Sequence, residues 1–176
     1  DIGRFAYAGG HMQKHAVDIG LGALDNATLA SEIRAKLGTD INLGYSQPQL
    51  AGGVVTSAAD YARFLRKLIR NELRLRPLLA TQALCASDAA CARTGVTSPA
   101  PATEVWNYSL GHWVEDDPVV GDGAVSSAGA FGFYPWLNQA RDTYGILARK
   151  DEAGTGFESV RCGRLIRKAW ETGVAR

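Results

Sequence analysis

The run Ser126-Ser127-Ala128-Gly129-Ala130-Phe131-Gly132-Phe133-Tyr134-Pro135-Trp136-Leu137 constrains this chain more than any other part of it. A second strand-like run, Thr143 to Arg149, follows after only Asn138-Gln139-Ala140-Arg141-Asp142. A third, Trp106 to Val114, lies upstream and is bounded by the turn residues Glu115-Asp116-Asp117-Pro118. Parallel strands need a crossover of about a dozen residues, so connections this short predict an antiparallel meander. The small residues Ser127, Ala128 and Gly129 leave room for another backbone or an acyl group to approach the strand closely.

The pattern before residue 100 is helical. His11 to Leu24 reads as a modest helix. Thr28 to Leu37 reads as another, with Leu29, Ile33 and Leu37 at four-residue intervals and Gly38 where helices end. A polar loop is expected from Thr39 to Pro48. Ser57 and Asp60 resemble a capping box with the shorter acid, and the helix they open sets Tyr61, Phe64, Leu65, Leu68 and Ile69 on one face. Pro77 to Pro101 is rich in Ala, Thr and Ser and shows no clear period. A last helix, about Phe157 to Trp170, gathers Cys162, Leu165, Ile166 and Ala169, which predicts a buried face containing the Cys162 thiol. Helices followed by strands predict an α+β fold.

Composition narrows the function classes. A chain of 176 residues suits one domain or a large piece of one. A net charge of +1 argues against general nucleic-acid binding. The basic residues Arg63, Arg66, Lys67, Arg70, Arg74 and Arg76 fit a solvated helix face. No apolar run approaches the roughly 20 residues of a transmembrane helix. The sequence shows no initiator Met and no signal-peptide pattern, so a processed or excised piece is expected.

Cys85 and Cys91 flank a small-residue loop and suit a short disulfide, the alternative being two free thiols. A disulfide implies a periplasmic or extracellular setting. His11 and His15 stand one helical turn apart, but Met12 occupies the place of the metalloprotease glutamate and no third ligand is evident. No metal and no cofactor are therefore expected. There is no Gly-x-Ser-x-Gly elbow, phosphate loop or dinucleotide fingerprint. Asp116-Asp117 before Pro118 reads as a solvated turn. His112, between Gly111 and Trp113, reads as structural, and Tyr7 by its local sequence reads as a core tyrosine.

Four landmarks occur in an order similar to that of the penicillin-recognising serine hydrolases: class C β-lactamases, the esterases akin to them, and DD-peptidases. Phe5-Ala6-Tyr7-Ala8-Gly9-Gly10-His11-Met12 resembles their Tyr-Ser-Asn loop and following helix. The most specific match, Leu50-Ala51-Gly52-Gly53-Val54-Val55-Thr56-Ser57-Ala58-Ala59-Asp60-Tyr61, is close to their Ala-Gly-Gly helix start. Tyr108-Ser109-Leu110-Gly111-His112-Trp113 looks like their Tyr-x-Leu-Gly-Trp strand. Ser127-Ala128-Gly129 falls at the Lys-Thr-Gly or His-x-Gly box.

The resemblance implies a transpeptidase-like fold, an antiparallel sheet flanked by helices, incomplete without an upstream segment. Residues 1–50 would be part of the helical subdomain, 51–105 a helix-rich connection, and 106–176 the strands and C-terminal helix. Tyr7 would be the catalytic tyrosine that shuttles a proton. The Ala130 N–H would be one oxyanion donor. Gly9, Ser127, Gly129 and Phe131 would contact substrate, with Phe131, Tyr134 and Trp136 candidates for an acyl pocket.

Three departures qualify this. The family's Ser-x-x-Lys nucleophile motif lies upstream of the tyrosine, and only six residues precede Tyr7. Gly9 stands at the family's Asn, and Ser127 at its Lys or His. The resemblance implies the C-terminal portion of a secreted bacterial serine hydrolase acting on small esters, amides or peptides, its N-terminal portion on another chain or missing. The alternative is a non-catalytic penicillin-binding-like module for peptide or cell-wall fragments.

Overall fold

A computed structural model describes residues 5–87 and 95–175. Contacts divide the chain into two compact units, Asp1–Ala6 with Arg74–Arg176, and Tyr7–Leu73. Strand β1 (Phe5–Ala6) belongs to the first and leads into the second.

The Tyr7–Leu73 unit holds α1 (Gly10–Asp18), α2 (Asn26–Leu37), the hairpin β2 (Leu43–Tyr45) and β3 (Val54–Thr56), and α3 (Ala58–Ile69). The first helix stops short of Leu24, and β2 lies inside the expected polar loop. Gly44 has no side chain to bury, so the three-residue strand gave no period to read. Asp25 caps α2 by accepting the Thr28 N–H. Ala16, Leu21 and Leu29 form its buried core.

Ser57 caps α3, accepting the Asp60 N–H at 3.1 Å. The box is not reciprocal. The Asp60 carboxylate instead accepts from the Ser57 hydroxyl, the Asn42 N–H and Arg63, which together hold its pKa below the usual carboxylate range. The landmark at 50–61 therefore ties the start of α3 to β2. Lys67 on α3 likewise donates to the Leu37 carbonyl at the end of α2 and to Asp40.

The larger unit is built on a six-stranded sheet. In chain order its strands are β4 (Leu84–Cys85), β6 (Asn107–Ser109), β7 (His112–Val114), β8 (Val125–Ser126), β9 (Tyr134–Leu137) and β10 (Tyr144–Leu147). All its pairings are antiparallel, in the order β10-β9-β8-β7-β6-β4, so the meander is as expected. β5 (Gly95–Thr97) pairs separately, in parallel, with β1.

Two expected strands are interrupted. Trp106 to Val114 is a hairpin, because Leu110 (φ 41°) and Gly111 (φ 93°) both turn left-handed between β6 and β7. Val125 to Leu137 is split by a short 3-10 turn at Ala130–Gly132.

Helix α4 (Gly156–Thr172) packs on β9 and β10. Thr155 and Glu158 form a full capping box, a Thr-x-x-Glu signal present in the sequence. Gly156, Ser159, Val160, Gly163 and Arg167 are its buried residues. A Cβ on Gly163 would run into the Tyr134 ring, so only glycine lets the helix lie this close. The expected buried face is overturned: Cys162 is exposed and free, and Leu165 and Ile166 are exposed as well. Cys85 is disulfide-bonded; Cys91 lies outside the described residues.

An aromatic cluster fills the space between sheet and helix. Trp106, Trp113 and Phe157 meet edge to face with centroids 5.0–5.8 Å apart, and Phe5 and Tyr108 extend the cluster. Beside it lies a buried ionic network. Arg167 holds Asp122 through two nitrogens at 2.6 and 2.9 Å and reaches Glu115 at 3.1 Å. Arg164 bridges Glu115 and Glu104, both at 2.8 Å. The Tyr134 hydroxyl donates to Glu115 at 2.5 Å and accepts from Arg167. Burial, then the Glu115 charge, push that phenol well above its usual pKa, so it stays a donor.

Candidate functional site

The residues singled out by the sequence fall into two sets, one in each unit. Ser127, Gly129, Ala130 and Phe131 follow β8 in the sheet unit; Tyr7 and Gly9 lie in the helical unit.

Beyond β8 the ladder to β9 continues. The Ser127 N–H donates to the Pro135 carbonyl at 3.1 Å and the Gly129 N–H to Phe133 at 2.9 Å. Amides alternate in direction along an extended strand, so the Ala128 N–H points away from β9. Gly129 is still extended (φ −91°, ψ 161°), and Ala130 opens the 3-10 turn. Ala130 is exposed, and the first N–H groups of a helical turn have no acceptor within it, which leaves its amide available as a donor.

This backbone is braced from below. A Cβ on Gly156, the first residue of α4, would come within 2.6 Å of the Gly129 carbonyl oxygen. The Asp151 N–H holds the Phe131 carbonyl at 2.9 Å, and Arg149 ties Asp151 to Glu158. A Cβ on Gly129 would lie 3.2 Å from the Phe133 oxygen, so a side chain there would crowd its own hairpin. Gly156, Arg149 and Asp151 were not singled out from sequence, because they act on Gly129–Phe131 only through the fold.

Phe131 sits at φ 66°, unusual for a non-glycine residue, with 49% of its surface exposed. Tyr134 and Trp136 do not join it. They stack on each other at 4.9 Å, buried against α4, with Arg167 over the Trp136 ring, and are removed from the candidate acyl pocket. The Ser126 hydroxyl is buried in the same strand without a hydrogen-bond partner.

Tyr7 follows β1 directly and is 37% exposed, so it is not the core tyrosine that its local sequence suggests. Burial of the rest of the ring pushes its phenol pKa above the ordinary value, opposite to what a proton acceptor needs. Gly9 precedes α1 at φ 67°, and a Cβ there would press on the Ala51 Cβ at 2.9 Å. Glycine at this position is thus set by a left-handed turn and tight packing within the unit. His11 and His15 are exposed on α1.

Asp117 is buried, not solvated. It accepts the N–H groups of Val105, Val119 and Val120, which keep its pKa below the usual range and shape the loop before β8. His112 accepts the Ala80 N–H at 3.0 Å through Nε2 and is therefore neutral. Burial, and next the Arg141 charge, lower its pKa to about 4. The unfolded chain then binds more protons than the folded one between about pH 6.5 and 4. Stability that is fully present above pH 6.5 is lost as the pH falls through this window, by at most about 3 kcal/mol. A His112→Gln variant keeps an acceptor but does not titrate. Its urea midpoint is expected to fall less than wild type between pH 7 and 4.5; parallel curves would remove His112 as the cause.

No protein-family model and no curated protein matches this sequence. The fold does have a counterpart. A crystal structure of a β-lactamase from Mycobacterium bovis matches with a TM-score of 0.63 at 14% sequence identity, over 96% of this chain and 65% of that one. The chain thus has a β-lactamase-like α+β fold and spans about two thirds of the length of that neighbour.

Proposed function

We propose that this chain is part of a serine hydrolase that works through an acyl-enzyme on small esters or amides. The observation that carries the reading is the exposed Ala130 at the first position of a 3-10 turn, on an extended strand end braced by α4, within a β-lactamase-like fold. A serine from a Ser-x-x-Lys motif outside these residues would attack the substrate carbonyl and lose its proton to the motif's lysine. The Ala130 amide would hold the resulting oxyanion, and Tyr7 would protonate the leaving alcohol or amine. Water would then attack the acyl-enzyme, giving one proton to the Tyr7 phenolate while the lysine returns its proton to the serine oxygen, which releases the acid and restores both groups.

The raised Tyr7 pKa suits the donor half of this role; accepting a proton requires a cation beside it. Ser127 offers no positive charge to a substrate carboxylate, which favours neutral esters over β-lactams. The disulfide at Cys85 supports an oxidising compartment, periplasmic or extracellular.

The full-length gene product is expected to take up a fluorophosphonate on one serine. Tyr7→Phe is expected to lower its ester kcat by about 100-fold. Absence of a covalent adduct would end the hydrolase reading. The raised Tyr7 pKa together with the missing cation at Ser127 favours a second reading, a penicillin-binding-like module that holds peptide or cell-wall fragments without turnover. An intact upstream Ser-x-x-Lys motif decides against it.

A further inference from the structure

A cavity of about 270 Å³ opens in the sheet unit between the segment that leads into β6 and the first turns of α4. None of Ser127 to Phe131 lines it. Pro101 and the half-buried Phe157 give it an apolar side, over the fully buried Trp106 and Val160. Thr103 and Thr155 line it as well.

These walls are held in place without an occupant. Phe157 meets the Trp106 ring edge to face at 5.0 Å, and the Arg164 guanidinium lies over the same ring at 4.9 Å. Glu104, another wall residue, accepts from Trp106 Nε1 at 3.1 Å and from Arg164 at 2.8 Å. A pocket formed in advance spends little binding energy on ordering its own side chains.

Charge decides what fits. The ionic residues that line the cavity are Glu104, Glu158 and Arg161. Glu104 already has Arg164, and Glu158 has Arg149 at 3.1 Å together with the Thr155 N–H. Arg161 is exposed and makes neither an ion pair nor a hydrogen bond among the described residues. The two acids are thus compensated and the arginine is not. A cation would meet carboxylates that already hold guanidinium groups, whereas an anion would meet the unpaired guanidinium. A bare inorganic anion would gain nothing from Pro101 and Phe157, so the fitting ligand carries a hydrocarbon body as well as its charge.

We infer that this cavity binds a small monocarboxylate with an aromatic or branched aliphatic body, its carboxylate on Arg161 and its body against Pro101 and Phe157. The volume lies just under the about 300 Å³ at which small-molecule pockets begin, which suits one ring and one carboxylate. The inference does not rest on the hydrolase reading. The cavity does share the first turn of α4 with the strand end, since Gly156, between Thr155 and Phe157, lies under the Gly129 backbone.

The probe is para-fluorobenzoate, titrated into the full-length gene product and followed by broadening of its fluorine NMR line. Saturable binding in the millimolar range is expected for a ligand of this size. Arg161→Gln removes the charge at an exposed position and is expected to weaken binding by about 10-fold. Lys168→Gln makes the same charge change on an exposed α4 residue outside the cavity and should leave binding unchanged. Thr103→Trp, at an exposed wall position, fills the cavity and should abolish binding. para-Fluorobenzylamine, which replaces the carboxylate with an ammonium group, should bind at least about 10-fold more weakly than the acid.

Absence of saturable broadening would overturn the inference. So would equal affinity in Arg161→Gln, or tighter binding of the amine than of the acid. Pretreatment with a fluorophosphonate separates this site from the nucleophile. Binding that survives pretreatment and weakens in Arg161→Gln supports the cavity whether or not a serine reacts. Binding lost on pretreatment but retained in Arg161→Gln would put the acid at the nucleophile and overturn the cavity as its site.

Discussion

Ala130→Pro in the full-length protein is expected to lower kcat for ester hydrolysis by about 10²–10³-fold, the usual loss for one oxyanion donor. The substitution removes one hydrogen atom of interest and little else. Ala130 is the first residue of a 3-10 turn, where proline is well tolerated because that N–H has no partner within the turn. Gly129 before it is already extended (φ −91°, ψ 161°), the conformation that proline imposes on its predecessor. Ala130→Gly keeps the N–H and should retain most of the activity. Thermal unfolding of the proline variant should stay near wild type. Unchanged kcat in a folded proline variant would remove Ala130 from the chemistry.

Arg167→Met is expected to cost about 3–5 kcal/mol of stability, a large share of the whole for a domain of this size. The methionine fills the volume of the stem but leaves Glu115 and Asp122 with far less compensation. Glu115 is fully buried, and Arg167 gives it one of its two guanidinium partners. Tyr134 loses the donor to its hydroxyl oxygen at the same time. The cost is that of a stranded buried charge, so removing the charge should recover part of it. Glu115→Gln combined with Arg167→Met is therefore expected to be more stable than the sum of the two single losses. Urea midpoints at pH 7 read the cycle. A single-variant loss under about 1 kcal/mol would mean that water reaches the network.

The two experiments probe different ends of one helix. Arg167 anchors the inner face of α4 to the sheet, and the first residue of α4 supports the backbone leading to Ala130. A loosened α4 should therefore lower kcat as well as stability, whereas Ala130→Pro should change kcat alone.

Much of the architecture was legible in local signals. Short polar connections after Val114 and Leu137 required antiparallel neighbours, and the meander follows. The Leu29-Ile33-Leu37 period and Gly38 marked α2 to within two residues at its start. Ser57 announced α3, although the Asp60 carboxylate turned to Asn42 and Arg63 instead of completing a box.

The site was legible only in part. Ala130 and Gly129 stood out as small residues in a strand-like run, but what holds them is distant in sequence. Gly156 reaches that backbone from the start of α4, and Asp151, held by Arg149, from the segment between β10 and α4. Tyr134 and Trp136 looked like pocket residues until strand register placed them against α4.

The sequence by itself determined the α+β class, the antiparallel meander and the places of its helices, because turn length, caps and periodicity act between residues close along the chain. Only the tertiary structure decided which face of each element is covered. Cys162, Leu165 and Ile166 have the spacing of a buried stripe, yet glycine and arginine are what the sheet accepts. Close approach at Gly163 and the carboxylates of Glu115 and Asp122 outweigh local hydrophobicity there, and they leave Leu165, Ile166 and Trp170 exposed.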